Sequence, residues 1–196
     1  LHTCLTALQA QDYPNFEIIL VDNGSTDGSQ ALVRSQFPQV QLIPLQKNSG
    51  FAQGNNIGIQ TSRAEYVVLV NNDTRAEPQF VSELVAAAET DPQVGMCAAK
   101  MLFMDRPGTI NTTGICLDRL GIAWDRLGGS PDRLPPPPAP IFGPSGGAAL
   151  YRRAMLDEIG LLDTDFFAYL EDVDLAWRAQ LSGWGCLAVE TAASLP

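Results

Sequence analysis

Residues 16–29 read Phe-Glu-Ile-Ile-Leu-Val-Asp-Asn-Gly-Ser-Thr-Asp-Gly-Ser. Phe16 to Val21 is a short apolar run, the pattern of a strand buried on both faces. Asp22 to Ser29 follows as a turn dense in cap-forming side chains, ahead of a helical stretch that runs through Phe37. Working outward, Val40 to Leu45 is a second strand, Gly50 to Thr61 a helix, and Tyr66 to Val70 a third strand ending in Asn71-Asn72-Asp73-Thr74. Pro78 sits in the first turn of a helix running to about Glu89, where proline is tolerated, and Val94 to Ala99 is a fourth strand. Upstream, Leu1, Cys4, Leu5 and Leu8 recur at helical spacing until Asp12-Tyr13-Pro14-Asn15 breaks the pattern. Strands alternating with helices predict right-handed crossovers and an α/β fold with a mostly parallel sheet flanked by helices. Such sheets bind ligands beyond the carboxyl ends of their strands, which is where Asp22 and Asp73 fall.

The second half changes character. Gly108 to Trp124 alternates small and β-branched residues, with Thr109 to Thr113 the best strand, so a small antiparallel hairpin region is expected there. Asp125 to Pro140 holds Gly128, Gly129 and the run Pro135 to Pro138, and reads as a surface loop. Ile141 to Tyr151 surrounds a glycine-rich segment, Arg152 to Ile159 is helical, and Glu171-Asp172-Val173-Asp174 opens a helix containing Leu175, Trp177 and Leu181. Cys186 to Val189 is the last strand. Internal repeats and charge runs are not evident. Residues 1–196 are expected to form a single domain, whose two halves, 1–100 and 101–196, differ in character.

The chain has 196 residues, 12 Lys plus Arg against 22 Asp plus Glu, and a formal charge of −10. That acidity argues against nucleic acid and against an anionic membrane surface as general partners. With 45% hydrophobic residues the domain can bury a core without a disulfide or metal staple. Cys4, Cys97, Cys116 and Cys186 are scattered, with neither a disulfide framework nor a thiolate zinc spacing, and a reducing cytoplasm fits. No apolar stretch approaches the ~20 residues that span a bilayer. The chain opens on a helix without an initiator Met or signal peptide, so a fragment, truncated at both ends, is expected.

Three segments could carry chemistry. The turn from Asp22 to Ser29 is either a well-capped helix start or a site where Asp22 accepts from a ribose or base while unpaired helix N–H groups hold a diphosphate. Asn71-Asn72-Asp73 is either a plain turn or places one carboxylate to bind Mg2+ or Mn2+, ions that combine few carboxylates with phosphate oxygens and water. Glu171, Asp172 and Asp174 gain roughly 0.3–1 kcal/mol each from a helix N-terminus. They also repel one another beside the apolar Phe166-Phe167-Ala168-Tyr169-Leu170, an environment that suits a general base.

Competing motifs fail. Gly143-Pro144-Ser145-Gly146-Gly147 satisfies G-x-S-x-G, but a nucleophile elbow needs a histidine after the serine and the one histidine is His2. Asp163-Thr164-Asp165 begins like a calcium loop, yet Ala168 stands at the obligatory glycine and Asp174 at the bidentate glutamate. No Walker-type phosphate loop is present.

Taken in order, Ile19 through Ser29, Asn48 through Gly58, Leu69 through Thr74, Gly143 through Leu150 and Phe166 through Arg178 resemble the inverting GT-A (Rossmann-like) glycosyltransferases, and within them the bacterial rhamnosyltransferase-like branch. The resemblance implies that Asp22 with Asn23 holds the nucleoside, that Asn48, Gly50, Asn56 and Asn72 belong to the nucleotide pocket, and that Asp73 binds the metal in place of an Asp-x-Asp motif. It further implies Asp172 as the base of a Glu171-Asp172 motif, Gly146 and Gly147 as the close backbone approach to the sugar, and a strand ahead of the first helix. The implied reaction moves a sugar from dTDP-rhamnose or a UDP-sugar to a glycan or lipid-linked acceptor, with Mg2+ or Mn2+, on the cytoplasmic side and in possible peripheral contact with the inner face of the plasma membrane. A domain that binds a nucleotide sugar without turning it over is the alternative. The sugar-nucleotide pyrophosphorylases would need a glycine-rich Arg/Lys loop, which is not seen.

Overall fold

From Leu1 to Glu89 the expected alternation of helix and strand is present in the computed structural model, which describes residues 1–133 and 138–195. In order come α1 (His2–Gln9), β1 (Ile19–Asp22), α2 (Ser29–Gln36), β2 (Gln41–Pro44), α3 (Phe51–Thr61), β3 (Tyr66–Val70), β4 (Arg75–Ala76) and α4 (Phe80–Ala88). The second half holds β5 (Val94–Leu102), β6 (Ile110–Thr112), β7 (Ile115–Leu117), β8 (Ala123–Asp125), β9 (Ala139–Ile141), β10 (Ala148–Arg152), α5 (Arg153–Ile159), α6 (Glu171–Leu181) and β11 (Gly185–Leu195).

The central sheet runs β3-β10-β5-β11-β4, with β6 on β5 and β9 on β11. β5 and β11 are parallel, and β10 is antiparallel to both β3 and β5. The strands β3, β5 and β11 therefore share one direction, with β10 inserted against it. β1 and β2 form a separate parallel pair. Between β1 and β3 lies an apolar cavity of about 620 Å3, whose lining includes Leu5, Leu20, Val67 and Leu69.

Both faces of the central sheet are covered. Phe80, Leu84, Val85 and Ala88 of α4 pack on one face against Cys97, Ala99, Leu150 and Val189. On the other, Ile59 of α3, Met155 and Leu156 of α5, and Leu175, Ala176 and Ala179 of α6 meet Met96, Ala149, Tyr151 and Cys186. Each large side chain buried this way contributes about 1.5–3 kcal/mol. The layering fixes the amino end of α6 beside the turn that precedes β10.

Three features depart from expectation. β10 was not legible as a strand, because Ala148-Ala149 carries no β-branched signal; burial on both faces makes it one. β5 and β11 extend beyond their expected ends, to Leu102 and Leu195. The stretch 125–140 is not simply a surface loop: β9 begins at Ala139, Pro131 bridges to Thr109, and ion pairs join Lys100 to Asp132 and Arg126 to Glu190, at 2.8 and 2.9 Å. Residues 134–137 of the expected proline-rich loop lie outside the described residues. A four-residue repetition also emerges: Asp-Arg-Leu-Gly occurs at 118–121 and 125–128, and in each the glycine N–H donates to the aspartate carbonyl.

The hairpin β7–β8 is anchored where the Ile115 N–H donates to the Gly143 carbonyl at 2.7 Å. A Cβ on Gly143 would collide with the Cβ of Ala176 in α6. Gly143→Ala is therefore expected to overpack this junction and to lower unfolding free energy by about 1–3 kcal/mol, read as a reduced urea midpoint.

Candidate active site

The first wall grows out of the carboxyl end of β1. Asp22 is 6% exposed, and its Oδ1 accepts from the Ser25 N–H at 3.3 Å while Oδ2 accepts from Gln30 Nε2 at 2.6 Å. Gly24 has φ +84°, and a Cβ there would come within 2.8 Å of the Lys47 backbone, so β1 ends pressed against the segment leading to Asn48. Asn23 joins the two: its Nδ2 donates to Asn48 Oδ1 and to the Gly50 carbonyl, both at 3.0 Å, and its Oδ1 accepts from Ser49 N at 2.8 Å. Asn48 Oδ1 also accepts from Gly50 N at 2.9 Å. Asn23, Asn48 and Gly50 are thus brought together, with their polar groups spent largely on one another. They shape the loop that starts α3.

Asn56 is not part of that cluster. Its Nδ2 donates to the Leu162 carbonyl at 2.7 Å and its Oδ1 accepts from the Leu162 N–H at 3.1 Å, in a buried setting. The carboxamide works as a backbone clamp between α3 and the chain after α5.

The second wall follows β3. The Asn71 N–H donates to the Gly147 carbonyl at 2.9 Å, and the Asn71 carbonyl accepts from Thr74 Oγ1 at 2.8 Å. Asn72 and Asp73 stand exposed at the tip of this turn.

The third wall is the start of α6. Asp172 Oδ2 accepts from the Gly146 N–H at 2.9 Å, and Oδ1 accepts from the Val173 N–H at 2.8 Å. A Cβ on Gly146 would lie 3.4 Å from the Phe51 ring and 3.6 Å from Asp172 Oδ2; on Gly147 it would lie 3.4 Å from Asn71 Nδ2. Gly146 and Gly147, adjacent in one turn, therefore connect the Asp172 wall to the Asn71 wall. The loop of Asn48 and Gly50 closes the circuit, since Phe51 N donates to the Phe167 carbonyl at 2.7 Å and the Phe167 ring covers Gly50. These contacts link the start of α6 to the Asn71 turn and to the loop of Asn48 and Gly50, which Asn23 ties to the end of β1.

Burial pushes the Asp172 carboxyl above its ordinary pKa; the Gly146 and Val173 N–H groups pull it part of the way back, and the Asp125 charge adds to the rise. Glu171 is 5% exposed, its Oε2 has no hydrogen-bond partner, and burial raises its pKa too, with Asp172 contributing. Its neighbour Asp174 has a different task. Arg178 donates to Asp174 Oδ2 from Nε at 2.9 Å and from Nη2 at 2.7 Å, and to the carbonyls of Ile159 and Leu161, each at 2.8 Å.

Sequence reasoning missed several participants. Gln30 holds Asp22, and Phe51 and Phe167 join the loop of Asn48 and Gly50 to the segment that leads into α6. The Asp174–Arg178 spacing of four residues was a legible signal for a helix-face ion pair; the others depend on contacts far apart in the chain. For a metal, Asp73 supplies one hard oxygen donor, and no group of three or more His, Cys, Asp or Glu able to hold an ion occurs among the described residues. That donor set fits Mg2+ or Mn2+ only when most ligands come from a diphosphate and water.

The model of the glycosyl transferase family 2 matches residues 1–160. The chain belongs to this family. Among its curated relatives is an N-acetylglucosaminyl-diphospho-decaprenol L-rhamnosyltransferase of Mycobacterium tuberculosis, 29% identical over 191 residues that cover 85% of this chain and 62% of that protein. The O-antigen biosynthesis protein RfbC of Myxococcus xanthus is 29% identical over 200 residues, 93% of this chain and 15% of its own. The chain thus spans less than two thirds of either relative. Among solved structures, GalNAc-T7 with UDP, GalNAc and Mn2+ superposes with a TM-score of 0.75 at 14% identity, covering 98% of this chain and 40% of that one. The mannosyltransferase PcManGT of Pyrobaculum calidifontis, in complex with GDP-Man and Mn2+, gives 0.69 at 19% identity, covering 100% and 52%. At these identities the likeness establishes the GT-A fold.

Two outcomes follow for this family 2 domain. Asn56→Ala leaves the Leu162 N–H and carbonyl buried without partners, so it should cost about 1–3 kcal/mol of stability while calorimetric affinity for UDP or dTDP stays at the parent value. Glu171 binds protons more readily folded than unfolded, so its contribution to stability falls as pH climbs from the unfolded pKa through the raised folded one. Glu171→Gln should therefore be more stable than the parent at neutral pH, with the difference closing below the ordinary carboxylate range, measured by urea midpoints across a pH series.

Proposed function

We propose that this domain transfers a glycosyl group, with inversion, from a nucleotide sugar to a hydroxyl of a glycan or lipid-linked acceptor, and that Asp172 is the general base. The observation that carries the reading is the setting of Asp172: a half-buried carboxylate at the amino end of α6, held by the Gly146 N–H in a turn that also passes beside the Phe51 ring. Burial raises the proton affinity of the Asp172 carboxyl, which favours its taking a proton from an acceptor hydroxyl. In the step, the acceptor oxygen forms its bond to the anomeric carbon as the bond from that carbon to the diphosphate breaks. The acceptor proton passes to Asp172, and the leaving nucleoside diphosphate takes the electron pair. Asp172 lies on the face of the sugar opposite the diphosphate, so configuration inverts in one displacement.

Residues 1–100 supply the donor side in this reading and residues 101–196 the acceptor side. Asp22, with Asn23, Asn48, Gly50 and Asn72, would frame the nucleotide, with Asp22 sharing or exchanging its bond to Gln30 for one to the base. Gly146 and Gly147 let the sugar approach the backbone without a side chain in the way. Asp73 would hold Mg2+ or Mn2+, which when bound offsets negative charge on the departing diphosphate. Two relatives frame the choice of substrates: a rhamnosyltransferase whose named acceptor carries diphospho-decaprenol, and an O-antigen biosynthesis protein. In this reading the acceptor is lipid-linked or a polysaccharide, the donor is dTDP-rhamnose or a UDP-sugar, and the domain works on the cytoplasmic side with peripheral contact to the inner face of the plasma membrane. No helix among the described residues is long and apolar enough to cross a membrane.

The second reading, a nucleotide-sugar-binding domain without turnover, draws on one observation: a single exposed carboxylate, Asp73, stands where a metal would bind, with Asn71 two residues before it. One experiment separates them. The full-length protein is incubated with dTDP-rhamnose, UDP-glucose or GDP-mannose and octyl pyranoside acceptors, with and without Mn2+, and glycosylated product and released nucleoside diphosphate are followed alongside calorimetric binding. Transfer by the parent, lost by roughly 10²–10⁴-fold in Asp172→Asn with nucleotide affinity retained, is the expected result. Equal turnover by Asp172→Asn would remove Asp172 as the base, and binding without any turnover by the parent would establish the second reading.

A further inference from the structure

Tyr169 and Leu170 both have left-handed backbones, at φ 70° and 69°. Side chains bearing a Cβ seldom adopt this region, and two in succession persist only where the surroundings over-determine them. Here the chain is held on both sides. Upstream, the Phe167 carbonyl accepts from Phe51 N at 2.7 Å and its ring covers Gly50. Downstream, Asp174 N donates to the Leu170 carbonyl at 2.9 Å, and Asp172 is fixed by Gly146. Residues 168–170 therefore bridge the donor-side loop to the proposed base.

Packing does not repay the strain, because Tyr169 is 85% exposed. A rigid aromatic held outward on a strained backbone, three residues before Asp172, needs another reason. We propose that the Tyr169 ring is the stacking platform for the acceptor sugar, which makes it a specificity-determining residue of the transfer reaction; this rests on the function proposed above. A pyranose presents a face of C–H groups, slightly positive and apolar, which is complementary to the negative face of an aromatic ring. With two side-chain torsions, tyrosine orders such a partner at small entropic cost.

The test uses the full-length protein with dTDP-rhamnose or UDP-glucose as donor and the octyl pyranosides of glucose, rhamnose and N-acetylglucosamine as acceptor probes. Tyr169→Ala is expected to raise the acceptor KM about tenfold, with kcat and donor KM near the parent values. Tyr169→Phe, which keeps the ring, restores the acceptor KM. Tyr169→Gly loses acceptor affinity as the alanine variant does, yet melts higher than it, because glycine occupies positive φ freely. Leu181→Ala, at a side chain 77% exposed at the other end of α6, serves as the unaffected control. An unchanged acceptor KM in Tyr169→Ala, a loss in Tyr169→Phe as large as in Tyr169→Ala, or an effect confined to the donor KM overturns the platform. A parent protein that transfers to no probe overturns the transferase reading itself, and the platform with it.

Discussion

The hydrogen bond from the Gly146 N–H to Asp172 Oδ2 is the contact on which the rest of the cleft depends. It joins two elements built independently: the turn feeding the inverted strand β10, and the amino end of α6. Because β10 sits between β3 and β5, the turn before it cannot move without disturbing the middle of the sheet. The following residue, Gly147, accepts from Asn71 at the end of β3, so one two-glycine step places Asp172 relative to the Asn71-Asn72-Asp73 turn. A side chain at Gly146 would stand between the Phe51 ring and the Asp172 carboxylate, in the space the glycine leaves open. The small residues at this point are an outcome of geometry, since the start of α6, the end of β3 and the Phe51 ring all approach one stretch of backbone.

Much of the fold could be read from periodicity because its first half obeys simple rules. Ile19-Leu20-Val21 and Tyr66 to Val70 are apolar runs bounded by turn residues, and both are strands. What periodicity did not carry was direction. β10 runs against its neighbours, and nothing in Ala148-Ala149-Leu150-Tyr151 marks orientation or even strand propensity; its place is set by the shape left between β3 and β5. The 125–140 region misleads for the opposite reason. Its glycines and prolines do forbid long regular elements, but two charged pairs, Lys100–Asp132 and Arg126–Glu190, tie its described part to β5 and β11 across distances that no local pattern expresses.

The cleft divides along a similar line. Residues whose backbone position makes them functional candidates, Asp22 and Asp73 at strand ends and Asp172 at a helix start, were legible, because carboxyl ends of strands and amino ends of helices are where ligands and anions are met. The employment of their side chains was not. Asn56 has the residue type of a pocket amide and serves as a clamp on Leu162. Asn23 and Asn48 bond to each other and to the loop between them. Asp22 has its carboxylate engaged by Gln30, eight residues away across a turn. An amide or carboxylate advertises hydrogen-bonding capacity in sequence, and only the packed structure shows who has claimed it.

The helix carrying Asp172 concentrates unfavourable terms: two left-handed residues before it, two partly desolvated carboxyls in its first turn, and the unpaired Oε2 of Glu171. The macrodipole returns roughly 0.3–1 kcal/mol per acidic group, less than strain of about 1–3 kcal/mol at each left-handed residue. Something else must hold α6 in register. Burial of Leu175, Ala176 and Ala179 against the sheet supplies most of it, and Arg178 supplies direction. Its guanidinium grips Asp174 with two nitrogens and caps the carbonyls of Ile159 and Leu161 at the end of α5. The Asp174 pair, being partly exposed, is worth about 1 kcal/mol or less as an ion pair; its importance lies in satisfying two carbonyls that would otherwise face the protein without partners. The division of labour along one helix is then physically coherent. Asp174 is neutralised by Arg178 so that the helix stays put, and Asp172, two residues earlier, is left ionisable, half-dry and pointed at the cleft.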